Sequence, residues 1–569
     1  MRFHSNAVAP ICVTHELQVV DPPNVTLVPV TGYSDGYIQS RVLHAGNKNN
    51  MREPYESYTT VSSAIRYTPR PVIVVMLLAG GVLYATPARA DSDTDWIRGA
   101  LHALQKAEHD WDAEDTKQVT PSVIPVQTHD RDPLGVISTQ QSGGPTITST
   151  NAFFQDIGSN GRTCFSCHQP QNGWGISASS VRKAFADSQG KAPIFRPVDG
   201  AVCPTADVSS LAAKLDAYKL LLEKGLIRIG LPIPAAAEFS IDSVDDPYGC
   251  NSNPTTGLTN PSSGIVSTYR RPLPSTNLGF INAIMWDGRE SSLESQATDA
   301  TTGHAQATTP PSPSQVAQIV AFEKGILTAQ SKDQAAGPLD AYGATGGPAG
   351  LQATLAAFFP GINDPLGGNP RGMPFTNNIF TLYDAWTAAP EDRPDDARAA
   401  VVRGQAVFNT TPIAITGVNG INDTLGVASL PGFCGTCHDS PNVGNHSVKL
   451  PINIGIANAG PFDTATGTGA VQALDIDDLP VFTVFCNAGS NAGTTYKVTD
   501  LGRAMITGQC ADIGKIKGPV LRGLAGRAPY FHNGAAATLD DVVLFYDQRF
   551  GIGFTAQEKR DLVAFLKTL

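Results

Sequence analysis

Apolar residues recur at helical spacing in several stretches of this chain. Over 209–224, Leu211, Leu215 and Leu222 fall on one side of a predicted helix, and 313–328 predicts another. The segment 399–408 (AAVVRGQAVF) has the same spacing and is expected to open a second domain. The clearest pattern is C-terminal. Thr555 and Glu558 form a capping box, and Leu562, Phe565, Leu566 and Leu569 make an apolar stripe, which reads as core packing and not as a cofactor contact. Segments rich in Gly, Pro, Ser and Thr, such as 253–264 and 461–469, read as loops. No short repeat period is present, which excludes a solenoid.

One apolar run, 71–85, has a different character. Arg66 and Arg70 precede it, and Ala88-Arg89-Ala90 and Asp91 follow it. A basic flank, a short apolar stretch and a small-residue cleavage site make a secretory signal peptide. The run falls short of the roughly 20 apolar residues of a membrane-spanning helix, so an uncleaved anchor is the alternative. Because polar residues lie ahead of it, Met51 is the expected start, 1–50 an upstream extension and 51–90 the signal. The chain is therefore expected in the periplasm or outside the cell.

Composition adds three constraints. Of 569 residues, 41% are hydrophobic and 16% charged, against roughly 25% charged in an average globular domain. With 55 Gly and 42 Pro, the body should be loop-rich, not a long bundle. The net charge of -11 argues against non-specific nucleic-acid binding, which needs a basic face. The 9 cysteines are the most informative count, since an exported chain meets an oxidising compartment.

Four of them fall in two short strings, Cys164-Phe165-Ser166-Cys167-His168 and Cys434-Gly435-Thr436-Cys437-His438. C-x-x-C-H is the pattern of c-type haem attachment. Two thiols this close can each bond one vinyl group of a porphyrin, and the adjoining imidazole can then ligate iron. A zinc site or a dithiol redox pair does not require the following His. Two covalently bound haems c are expected. The sites lie far apart, so each is given its own domain: a lead-in over 91–150, a first haem domain with an insertion over 151–390, and a second over 391–569. The Pro- and charge-rich 388–398 (AAPEDRPDDAR) marks the boundary.

Both haem sites, the string 285–296 (MWDGRESSLESQ) and the string 521–546 (LRGLAGRAPYFHNGAAATLDDVVLFY) together resemble the bacterial di-haem cytochrome c peroxidase superfamily. That superfamily also holds MauG-type enzymes, which mature a tryptophylquinone cofactor, and extracellular rubber oxygenases. The resemblance covers most of 150–569 in scattered blocks. It implies a mainly α fold of two cytochrome c-like haem domains packed together, here with long loop insertions. It further implies that His168 is the proximal ligand of a first, reactive haem and His438 that of a second, electron-transfer haem. Trp286 matches the tryptophan between the haems, and Gln296 matches a glutamine of the reactive pocket.

Several departures from the peroxidases matter. No His lies between His168 and His304, so the first haem is expected to be open, with His304 either capping it or serving its chemistry. Where the peroxidases carry a Met ligand for the second haem stands Tyr546, as in MauG-type enzymes. A phenolate favours ferric iron, whereas a thioether raises the potential. His532 is the rival ligand, as associated with rubber oxygenases, and Met505 a further candidate. Gln306 occupies the place of the distal glutamate that moves a proton during O–O cleavage, and it cannot do so. Arg271 and Arg527 stand where the family holds calcium. Their charge argues against that ion and suits haem propionates instead.

Cys203 and Cys250 lie between the first haem site and Trp286, and Cys486 and Cys510 between the second haem site and His532. Each pair falls within one apparent insertion, where a disulfide would staple a loop-rich addition. The expected protein is a periplasmic, peroxidase-like oxidoreductase taking hydrogen peroxide or dioxygen at the first haem. A small periplasmic cytochrome or cupredoxin would supply electrons. The rivals are a haem dioxygenase acting on an apolar substrate and a non-catalytic electron-transfer cytochrome.

Overall fold

The computed structural model describes residues 120–253, 257–258, 265–388, 396–461 and 469–569. It also describes one short antiparallel pair, Tyr33–Ser34 with Tyr37–Ile38. The expected signal peptide over 51–90, with Met51, and the first part of the lead-in lie outside the described residues. The chain divides into two units, Met1–Asp91 and Ser92–Leu569, and everything below concerns the second. Among the described residues, no helix is long and apolar enough to cross a membrane.

The C-terminal core is built from three helices, Asp396–Thr410, Leu539–Phe550 and Ala556–Lys567. Thr538 and Asp541 cap the second reciprocally, and Thr555 and Glu558 cap the third. Each box satisfies two backbone donors that a helix start would otherwise leave open. The predicted stripe is buried: Leu562, Phe565, Leu566 and Leu569 pack with Val401, Phe408 and Val543. Gly404 makes the first and third helices approach closely, because a Cβ there would collide with the carbonyl of Asp561.

In the other half, the pattern over 209–224 is divided between two helices, Leu211–Ala217 and Lys219–Lys224. The break falls at Tyr218, with φ -100° and ψ 15°, whose buried ring packs on Phe195. After it, Leu220, Leu221 and Leu222 are all buried. The helix over 313–328 is likewise shorter than its pattern. It ends at Gly325, and Ile326–Asp333 is a strand. That strand pairs antiparallel with Gly135–Gln141, a distant partner that local periodicity does not reveal. With Gln127–Asp132 and Gly337–Pro338 it completes a four-stranded sheet, so the lead-in is built into the body.

The two insertions also meet. Phe239–Asp245 pairs antiparallel with Val481–Cys486, and Thr495–Val498 completes a three-stranded sheet. Disulfide Cys486–Cys510 ties the end of its middle strand to a later turn, and Cys203–Cys250 closes the first insertion, with Cα–Cα separations of 6.0 Å and 5.4 Å respectively. The apolar side of the sheet buries Phe239, Ile241, Phe482, Val484 and Met505. Close by, the buried Arg270 forks onto Asp500 through Nε and Nη2, at 2.6 Å and 2.9 Å, and reaches Asp287 through Nη1 at 2.5 Å. Fork geometry of this kind makes a buried ion pair tolerable.

Candidate functional site: two cavities with a common wall

The two C-x-x-C-H strings fold alike. Cys164–Ser166 and Cys434–Thr436 each form one short 3-10 turn. The following His donates its backbone N–H to the carbonyl of the first Cys, at 3.0 Å in both cases. The chain then loops back, so that Nδ1 of His168 donates to the Trp174 carbonyl at 2.9 Å and Nδ1 of His438 to the Gly444 carbonyl at 2.6 Å. With Nδ1 carrying the proton, Nε2 is the lone-pair nitrogen in both rings, the arrangement that second-sphere carbonyls impose on metal-binding imidazoles. Burial pushes both rings down to about 4, so they are neutral. None of the four cysteines is in a disulfide. Burial pushes Cys167 up to about 11 and both Cys434 and Cys437 to about 12. A redox-active dithiol has the opposite shift.

Each string opens into its own cavity. Cys164, Cys167 and His168 line one, and Cys434, Cys437 and His438 line the other. The second is walled largely by aliphatic side chains, among them Ile413, Ile415, Ile452, Ile454 and Ile456. Trp286, Arg271, Lys517 and Arg527 belong to both linings. The Trp286 indole N–H donates to the Arg271 carbonyl at 2.8 Å, and its ring meets His532 edge-on at 6.1 Å between centroids.

The helix Leu293–Gly303 turns one face to the first cavity. Leu293, Gln296, Ala297, Ala300, Thr301 and then His304 line it at helical spacing. Nδ1 of His304 lies 2.5 Å from Oδ2 of Asp199, whose Oδ1 accepts from Arg162 at 2.5 Å. Gln306 is exposed, outside the lining, and its Oε1 accepts from the Asn160 amide at 3.3 Å. Glu323, which the sequence reading did not single out, also lines the first cavity. Burial pushes its carboxyl up to about 8, and Oε2 has no hydrogen-bond partner.

In the second cavity, the Tyr546 hydroxyl lies 3.5 Å from Nε2 of His438. Burial pushes its phenol upward. His532 lines the same cavity, but its Nε2 lies 3.6 Å from Oδ2 of Asp500. Met505 lines neither cavity and packs in the core of the insertion sheet.

The cations around these cavities have an unusual set of partners. Arg271 donates only to the carbonyls of Lys224, Ile176 and Arg527. Arg527 donates to those of Gly523, Val520 and Arg522. Lys517 donates to the Ala283 carbonyl, and Arg522 to those of Asn442 and Gly347. Among the described residues, none of the four has a carboxylate within ion-pair distance, and burial pushes Lys517 down to about 8 and Arg522 and Arg527 to about 10. Burial, then the neighbouring Arg527, pushes Arg271 to about 9. Buried cations without anions are costly. The two propionates of a haem are anions of the kind these side chains lack, so thiols, imidazole, aliphatic walls and cations together fit that group. The sequence pointed to Arg271 and Arg527, but Lys517 and Arg522 carried no local signal. Among the described residues, no cluster of three or more His, Cys, Asp or Glu side chains is arranged to hold a metal ion.

No family model matches the chain. Among curated proteins, it is 46% identical over 78 residues to the cytochrome-c peroxidase IdrP2 of Denitromonas iodatirespirans, a match covering 12% of this chain and 21% of that one. It is 42% identical over 88 residues to IdrP1 of the same organism, covering 14% and 23%. A cytochrome c551 peroxidase of Nitrosomonas europaea is 42% identical over 121 residues, covering 18% of this chain and 36% of that one. The chain thus spans about a fifth of the length of the first two relatives. Among solved structures, a MauG-like protein associated with microbial copper homeostasis aligns over 80% of this chain and 95% of its own, at 16% identity and a TM-score of 0.32. Over these stretches the chain is similar to cytochrome-c peroxidases, in keeping with the resemblance carried by its two C-x-x-C-H sites and its WDGR string.

Proposed function

We propose that this protein is an exported, periplasmic oxidoreductase of MauG-type character that holds two haems c and reduces hydrogen peroxide at the first. One observation carries the reading: two cavities, each with its own C-x-x-C-H string, share a wall that contains Trp286. When bound, each haem supplies an iron that takes and gives single electrons.

The chain's own residues do the rest. His168 and His438 present Nε2 to the metal. Tyr546, whose hydroxyl lies 3.5 Å from Nε2 of His438, would help hold the second haem in preference to His532, whose ring is turned to Asp500 and Trp286. Trp286 carries electrons across the wall between the cavities. Gln296 and His304 face peroxide in the first cavity, and His304 moves the proton that Gln306 cannot. Arg271, Arg527, Lys517 and Arg522 bind the propionates. In the balanced reaction, peroxide, two protons and two electrons give two waters. A small one-electron donor, a periplasmic cytochrome or cupredoxin, supplies the electrons in two steps.

The test is spectroscopic and then kinetic. Purified haem-loaded protein should show one high-spin and one six-coordinate haem at rest, and should oxidise two equivalents of reduced donor cytochrome per peroxide. Two low-spin haems that ignore peroxide would sink the reading. Dioxygen uptake with an apolar substrate, and no peroxide turnover, would replace it with a dioxygenase.

A further inference from the structure

A buried carboxylate and a buried guanidinium converge on His304, and neither belongs to a motif of the peroxidase pattern. Asp199 is 4% exposed and comes from the insertion after the first haem site. Its Oδ2 meets Nδ1 of His304 at 2.5 Å. Its Oδ1 meets Nη1 of Arg162, which is also 4% exposed and stands just ahead of Cys164. Arg162 is itself fixed by the carbonyls of Pro193 and Ile194 and reaches the His304 carbonyl at 3.2 Å. Asn160 donates to the same carbonyl at 2.8 Å. His304 is therefore held at both its ring and its backbone, by two separate segments of chain, one carrying Asn160 and Arg162 and the other Asp199.

We propose that Asp199 and Arg162 are positioning residues that present Nε2 of His304 to the first cavity, replacing the glutamate at the position now taken by Gln306. This rests on the peroxidase reading above. A carboxylate accepting from Nδ1–H fixes the tautomer and leaves Nε2 as the basic nitrogen. Arg162 keeps the Asp199 charge compensated in a dry site. His304 takes a proton from the near oxygen of hydrogen peroxide and returns it to the far oxygen as the O–O bond breaks and that oxygen leaves as water. Bound haem would supply the one-electron chemistry, with the two electrons coming from the one-electron donor, and two further protons from solvent would complete the second water.

The test uses carbon monoxide on the reduced, haem-loaded protein, with peroxide turnover measured beside it. The C–O infrared stretch at the first haem reports which groups face the bound ligand and needs no catalysis. Asp199→Asn and His304→Gln should each shift that stretch. Each should lower kcat by about 10²-fold or more with KM little changed, and the double variant should be no worse than His304→Gln alone. Asp199→Glu should recover part of both signals. If Asp199→Asn leaves stretch and kcat at wild-type values, the positioning role is overturned while the peroxidase reading stands. If Asp199→Asn does not fold, His304→Gln decides, because it leaves both buried partners in place, and an unchanged stretch there overturns the proposal. Should the wild-type protein lack peroxide turnover, the activity reading fails, and the stretch alone still tells whether Asp199 holds His304 toward the ligand.

Discussion

Tyr546 and His438 face each other across the second cavity, phenolic oxygen to Nε2, at 3.5 Å. The helix Leu539–Phe550 aims the phenol, and the turn from Cys434 to Gly444 aims the imidazole. Tyr546→Phe should therefore remove the sixth ligand and change the optical and EPR spectra of the second haem. His532→Ala should leave its ligation unchanged. The reverse result would transfer the ligand role to His532.

Lys517 lines both cavities, whereas Arg522 lines only the first. Removing a nearby positive charge makes reduction harder, by on the order of 1–2 kcal/mol at an effective dielectric near 20. A redox titration of Lys517→Met should show both potentials lowered, and Arg522→Met should lower the first alone. Equal shifts from the two variants would contradict the shared wall.

Burial holds the Glu323 carboxyl near 8, well above its ordinary value of 4.5. The folded protein thus keeps a proton that the unfolded chain gives up. Its contribution to stability is complete below about pH 4.5 and is lost as pH rises through 8. Glu323→Gln should abolish that loss, so in urea denaturation at pH 9 the variant should gain on the parent relative to the same comparison at pH 5. A constant difference between the two would refute the assignment.

The disulfides close the two insertions, and none of their cysteines lines either cavity. Replacing Cys486 and Cys510 together by Ala should cost about 2–4 kcal/mol and lower Tm. Haem spectra should remain those of the parent. Loss of haem in this variant would mean that the insertion sheet supports the cavities directly.

Sequence alone exposed the two C-x-x-C-H strings, because Cys and His spacing is local. It also revealed the C-terminal helix, because Thr555, Glu558 and the apolar stripe are local too. It did not reveal the strand Ile326–Asp333, whose partner lies in the lead-in, or the pairing of Phe239–Asp245 with Val481–Cys486. Phe239 and Ile241 share one face, but Val244 breaks the alternation, and no pattern names a partner so far away. Lys517, Arg522 and Asp199 escaped for a related reason. Their significance lies in what they face, and a residue's identity carries no trace of that. Tyr546 and His532 were equivalent in sequence, and the contacts that distinguish them, His438 for one and Asp500 for the other, are visible only in the fold.

The sheet that sews one insertion to the other, with the Arg270 knot beside it, has a kinetic consequence. Parting the two halves would break its backbone hydrogen bonds and strand a buried arginine, so, on the proposed reading, the spacing of the two cavities across Trp286 should stay constant during turnover. Transfer across it should then show no dependence on solvent viscosity. The reaction would be paced at its two edges, where peroxide enters and where the donor docks.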